Sequence, residues 1–245
     1  VNQAIIDSFD KIYSTDLTYH KDCWLLCGDA HCCSFSRYKN KFSLIAKEHF
    51  QELPLLPYEY EYLEHKNWLD QFGNFEHKIV DYPLDGYTIK AESIISRRPN
   101  CACDHATRTT ICRLYPVLPV FDITGRLLGT DKLGIYEELE DMDKIEPACK
   151  VTDIPFDQLE KFLTIASIIG ANKKLLFYVM AYRITKMHIR KRLNAAHSIK
   201  PGSAFALFER QLIRKRLIDH EVLTKELNAL TGKFVERYDF KTLML

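Results

Sequence analysis

Apolar positions recur with helical spacing over much of this chain and alternate in only a few places. Residues 4–13 put Ile5, Ile6, Phe9 and Ile12 on one side of a helix. The spacing predicts a further helix over residues 38–50. Pro54 and Pro57 then interrupt the chain before another helix over residues 58–72, which Gly73 closes. Asp85-Gly86 is a turn signal, and residues 87–95 alternate well enough for a strand. Residues 117–123 and 126–128 read as two short strands around a tight turn at Thr124-Gly125.

Beyond residue 150 the pattern is helical throughout. Asp153 can cap a helix that carries Pro155 early, with Phe156, Leu159, Phe162 and Leu163 as its apolar face and Gly170 at its end. Residues 172–193 form a second helix. Pro201-Gly202-Ser203 breaks the pattern, and Ser203 caps a third helix running to Gly232. Three helices on short links suggest antiparallel packing. The most apolar stretch, residues 163–182, is interrupted by Asn172, Lys173 and Lys174, so it reads as two buried helices and not as a membrane span. The expected fold is mainly α with a small β element, an α+β arrangement. A Cys-rich part over residues 1–150 is followed by a helical part over residues 151–245.

Charge divides along the same line. From Lys161 onward there are 17 Lys and Arg against 6 Asp and Glu, whereas the preceding residues carry 17 against 27. A net charge of +1 therefore conceals an acidic part joined to a basic one. Either the two neutralise each other by packing, or the basic part meets an acidic protein or nucleic acid. Arg190, Lys191 and Arg192, with Arg214, Lys215 and Arg216, are the candidate partner-binding residues. Glu137, Glu138 and Glu140 look like an exposed acidic run. No P-loop, G-x-S-x-G or H-E-x-x-H occurs, so the sequence assigns no catalytic residue.

The eight cysteines are the strongest chemical signal. The first ten residues lack the basic segment of a secretory signal, which favours a reducing, cytoplasmic setting. There, clustered cysteine is more often metal-binding than disulfide-bonded. The first group is Cys23-x3-Cys27-x4-Cys32-Cys33, the second is Cys101-x-Cys103-x8-Cys112, and Cys149 follows alone. Thiolates suit soft or borderline ions such as zinc and iron. Two short loops, each carrying several ligands, lower the entropy of closing such a site. His20, His31 and His105 flank the loops and can offer nitrogen. The spacing matches neither paired C-x2-C zinc motifs nor the C-x3-C-x2-C of radical enzymes that use S-adenosylmethionine, so zinc and iron–sulfur both stay open.

These groups resemble the YkgJ-type Cys-rich family of zinc- or iron-chelating domains. Cys23, Cys27, Cys32 and Cys33 match its first group, which ends in Cys-Cys. Cys101, Cys103 and the segment ICRLYPVLPVFD, residues 111–122, match its second. Cys149, shortly after Pro147, matches the late cysteine. The segment CWLLCGDAHCCSFSRY, residues 23–38, is also similar to the Cys-rich segment of flagellin lysine-N-methylases. The family often has Arg-Pro after its Tyr, and Leu118-Pro119 stands there instead. The resemblance covers roughly residues 20–150. It implies a metal site, iron–sulfur or zinc, more than a named reaction. With all eight cysteines as candidate ligands, the expected cofactor is an iron–sulfur cluster ahead of zinc, in redox or protein-modification chemistry. The alternative is a structural zinc module whose basic helices bind a partner.

Overall fold

Helix α1, Gln3–Ser14, forms where the periodicity places it and buries Ile5, Phe9, Ile12 and Tyr13. The computed structural model describes residues 3–20, 38, 40–44, 51–97, 104–147, 149, 151, 153–199 and 202–238. Among these, eight α-helices, one 3-10 helix and five strands give the mainly α architecture with a small β element. Of the predicted helix over residues 38–50, only Tyr38 and residues 40–44 are described. They form a turn in which Lys41 N–H donates to the Tyr38 carbonyl.

A three-stranded antiparallel sheet follows, in the order β1-β3-β2: β1 Gln51–Leu55, β2 Phe75–Leu84 and β3 Tyr87–Ser96. Pro54 and Pro83 both lie in its edge strands, where a missing N–H is tolerated. Asp85 and Gly86 close the β2–β3 hairpin, with Gly86 at φ +77° as the turn requires. The predicted helix over residues 58–72 is divided. Helix α2, Glu59–His65, ends before Asn67, which adopts φ 57°, and a 3-10 turn occupies Leu69–Phe72.

Helix α3, Thr110–Leu114, leads into the hairpin of β4, Val117–Phe121, and β5, Leu127–Lys132. Asp122 organises its turn by accepting from Thr124 N–H at 2.8 Å, Thr124 Oγ1 at 2.6 Å and Arg126 N–H at 3.1 Å. These hydrogen bonds hold its carboxyl down at about 2. Gly125, at φ +89°, lies backbone to backbone with Gly170, and a Cβ on Gly125 would stand 2.0 Å from the Gly170 carbonyl oxygen.

Helix α4 is Tyr136–Asp143, α5 is Phe156–Ala171 and α6 is Lys173–Ile199. The apolar face of α5 differs from expectation. Phe162, Ile165, Ala166 and Ile169 are buried, while Phe156 is 92% exposed and Leu159 and Leu163 are exposed with it. The long apolar run offers two overlapping stripes, and the core takes the one continuous with α6. Asn172 alone links α5 to α6, its Oδ1 accepting from Lys174 N–H at 3.1 Å. The chain turns there by 104°, so these helices cross instead of lying antiparallel. Among the described residues no single helix is long and apolar enough to cross a membrane.

The predicted third helix is also two: α7, Ala204–Ile213, and α8, His220–Tyr238. Ser203 does cap α7, accepting from Ala206 N–H. The main core runs across residue 150, joining Phe9, Leu53, Tyr62 and Phe121 to Phe162, Phe177 and Phe234. Tyr38, Phe42, Leu139, Leu193, Phe205 and Phe208 form a second cluster where α4 meets α6 and α7.

Candidate metal centre

Six of the eight candidate ligands, Cys23, Cys27, Cys32, Cys33, Cys101 and Cys103, lie outside the described residues, as does His31. Cys112 is in α3, half-buried against the main core with a free thiol, and Cys149 is half-buried beyond α4. His20 is exposed, and His105 is half-buried beside Arg108. Among the described residues no three His, Cys, Asp or Glu side chains come together as an ion would require. What the described residues do define is how the cysteine segments are tethered.

Two buried arginines clasp the segment before Cys23 to the one between Cys103 and Cys112. Arg108 donates to the Leu17 carbonyl, and to Thr18 Oγ1 at 3.2 Å. Arg113 donates through Nη1 to the Thr15 carbonyl at 3.2 Å and through Nε to the Arg108 carbonyl at 3.0 Å. Its guanidinium carbon lies 4.7 Å from the centre of the Tyr13 ring. Burial pulls the Arg113 pKa down. Tyr19 adds a hydrogen bond from its hydroxyl to the Leu114 carbonyl at 3.2 Å. The short helix bearing Cys112 is therefore fixed against the residues from which the first cysteine group departs.

Glu59 supports that clasp from below. It is fully buried and accepts from Tyr13 OH at 2.8 Å, Leu56 N–H at 2.8 Å, Thr110 N–H at 2.6 Å and Thr110 Oγ1 at 2.7 Å. Burial outweighs these donors and pushes its carboxyl above the usual range. Neither Arg113 nor Glu59 announces itself in the sequence. Arg113 sits inside the ICRLYP motif, but nothing in a lone Arg or Glu signals burial.

Helix α4 receives the other end of the first segment. Far from being an exposed run, Glu137, Glu138 and Glu140 are all buried, which corrects the sequence reading. Glu140 accepts from Tyr38 OH at 3.1 Å, and the Tyr38 ring lies 4.7 Å from that of Tyr136. Glu137 accepts from Tyr115 OH, the tyrosine of the same motif. Glu138 faces the basic part, 3.3 Å from Lys186 and 3.2 Å from Arg190 Nε. An i, i+1, i+3 set of acids spreads over more than one side of a helix, so it can be buried only when every side meets donors. Here tyrosine hydroxyls and the basic helix α6 supply them.

The basic candidates separate into two groups. Arg190 pairs with Glu138, Lys191 with Glu226 at 3.6 Å and Arg192 with Asp219 at 3.1 Å. Arg214, Lys215 and Arg216 are exposed at the end of α7, with no ion pair among the described residues.

No family model matches the chain, and no curated protein and no solved structure matches it.

Proposed function

We propose that this chain is a metal-binding protein of the YkgJ-like kind, holding an iron–sulfur cluster through its clustered cysteines, in redox or protein-modification chemistry. The observation that carries the reading is the tethering of the cysteine segments. Thr15, Leu17 and Thr18, just before Cys23, are bonded to Arg108 and Arg113, which flank Cys112. Thr18 lies five positions before Cys23, a reach of at most about 18 Å. The first cysteine group thus departs within range of the second, and Tyr38 returns it to α4, the helix before Cys149. Closing two such segments on one ion costs little further chain entropy once their ends are fixed. A thiolate cluster also suits a reducing compartment, the cytoplasm being the natural one.

Anaerobically purified protein tests this. An iron–sulfur protein is brown, loses visible absorption on reduction, and contains iron and inorganic sulfide. Serine in place of Cys23, Cys27, Cys101 or Cys112 should lower the iron content. A colourless protein carrying zinc would replace the cluster with the zinc alternative, and a protein retaining neither metal would overturn both. The alternative, a structural zinc module that binds a partner through its basic helices, is favoured by the unpaired cations at Arg214, Lys215 and Arg216.

A further inference from the structure

Arg210, Arg214, Lys215 and Arg216 fall within seven residues at the end of α7, and all four are exposed. None forms an ion pair among the described residues. The cations in the later part of α6 behave differently: Arg183, Lys186, Arg190, Lys191 and Arg192 each meet a carboxylate. The acid adjoining the cluster, Glu209, is turned inward, where it accepts from Ser43 N–H at 2.9 Å. The fold thus neutralises one basic stretch and leaves the other without ion pairs among the described residues. Two aliphatic side chains stand among the unpaired cations, with Leu212 40% and Ile213 49% exposed.

The backbone here is a defined cap, not a loose link. Arg216 N–H donates to the Gln211 carbonyl at 2.8 Å and Lys215 N–H to the Leu212 carbonyl at 2.9 Å. This is the Schellman arrangement, with Lys215 at the left-handed position, φ 53°. Glycine is the usual occupant because a Cβ is disfavoured there. Attraction of cations to a helix C-terminus accounts for Arg214 within the last turn. It does not account for a lysine at the one position where glycine would stabilise the cap, nor for the aliphatic pair beside it.

We propose that the α7 cap is a docking surface for an anionic membrane face. The four cations would meet lipid headgroup phosphates and carboxylates, while Leu212 and Ile213 enter the headgroup–acyl boundary, the division of labour by which basic amphipathic elements bind bilayers. A nucleic acid backbone would satisfy the cations equally well but leave both aliphatics in water, which is why the lipid surface is favoured. Here the membrane is a surface to lie on and not one to span, where the sequence suggested no part for a membrane at all.

Co-sedimentation of the full chain with vesicles tests the assignment. Binding is expected to phosphatidylcholine vesicles containing phosphatidylserine, not to phosphatidylcholine alone, and to fall at high salt. Lys215→Gly is expected to raise the melting temperature and yet weaken binding roughly fivefold, the loss of one cation at the surface. Leu212→Ser combined with Ile213→Ser should weaken binding with the melting temperature unchanged. Absence of binding to phosphatidylserine vesicles at low salt would overturn the proposal, as would binding indifferent to these variants. Mixed-sequence RNA that displaces the vesicles and binds the serine variant as well as the parent would assign the surface to nucleic acid instead.

Discussion

Glu138 and Lys186 offer a direct measure of how the acidic and basic parts are joined. Their side chains are only 5% and 2% exposed and lie 3.3 Å apart, and Lys186 also stands 3.2 Å from Asp131 and donates to the Lys132 carbonyl. Breaking a buried pair by neutralising one partner costs about 3–5 kcal/mol, because the other charge stays buried. After Glu138→Gln, Lys186 keeps Asp131 and one carbonyl, so the lower end applies, about 3 kcal/mol. For a chain of this size that lowers the melting temperature by about 6–12 °C. Lys186→Met leaves Glu138 with the half-exposed Arg190, and a smaller loss of about 2 kcal/mol is expected. The double variant strands neither member of the pair and leaves Asp131 with Arg183, so it should be more stable than the two losses added together, by about 2 kcal/mol. Urea unfolding followed by far-ultraviolet circular dichroism measures all four proteins. A loss below about 1 kcal/mol for Glu138→Gln, or strict additivity, would refute the claim that this pair joins the two parts.

Gly170→Ala is expected to cost about 2–3 kcal/mol, since its Cβ would stand 2.2 Å from the Gly125 carbonyl oxygen and neither backbone can yield; Gly129→Ala, with open space around it, should change stability by less than about 0.5 kcal/mol. His188 is held below its ordinary 6.5 by burial, and its Nε2 accepts from Asp219 N–H at 3.0 Å. A depressed value favours the neutral ring, so its contribution is present above the unfolded value and is lost as pH falls through the folded one. Melting temperatures across that range should fall with acidity in the parent, and less so in His188→Gln. If the chain holds metal as proposed, removing it with a chelator should lower the melting temperature and leave α5 and α6 folded, as read by circular dichroism, because Phe162, Ile165, Leu176 and Phe177 are buried in the main core.

Helices with one clean stripe were legible in the sequence, and those with competing stripes were not. α1 has a single apolar face, and its observed span is one residue longer at each end than the predicted one. In α5, Phe156, Leu159 and Leu163 made as good a stripe as Ile165 and Ile169, and packing against α1, α6 and β5 decides between them. β1 escaped notice because Pro54 read as a break in the chain, a penalty that vanishes at a sheet edge; no strand was expected over β2, which carries Pro83 at the other edge. The division between α7 and α8 was hidden because Lys215 occupies a cap where glycine would have marked the end.

The chemistry was legible in a complementary way. Cysteine declares its type and spacing, so candidate ligands could be named from the chain, but the groups that tether the flanking residues are ordinary ones whose burial is decided at long range. Arg113 reaches back 98 positions to Thr15, and Glu140 reaches 102 to Tyr38. Each is a buried polar group that would be costly without its partner, so each fixes where a described residue beside the first cysteine group, Thr15 or Tyr38, meets the rest of the fold. The same logic covers the buried acids of α4. They raised no expectation of burial as a sequence, yet they turn the acidic half into a set of acceptors for Tyr38, Tyr115 and Lys186. Arg183, Lys186 and Arg190 thus place part of the charge asymmetry in internal joints, while four further cations gather exposed at the α7 cap.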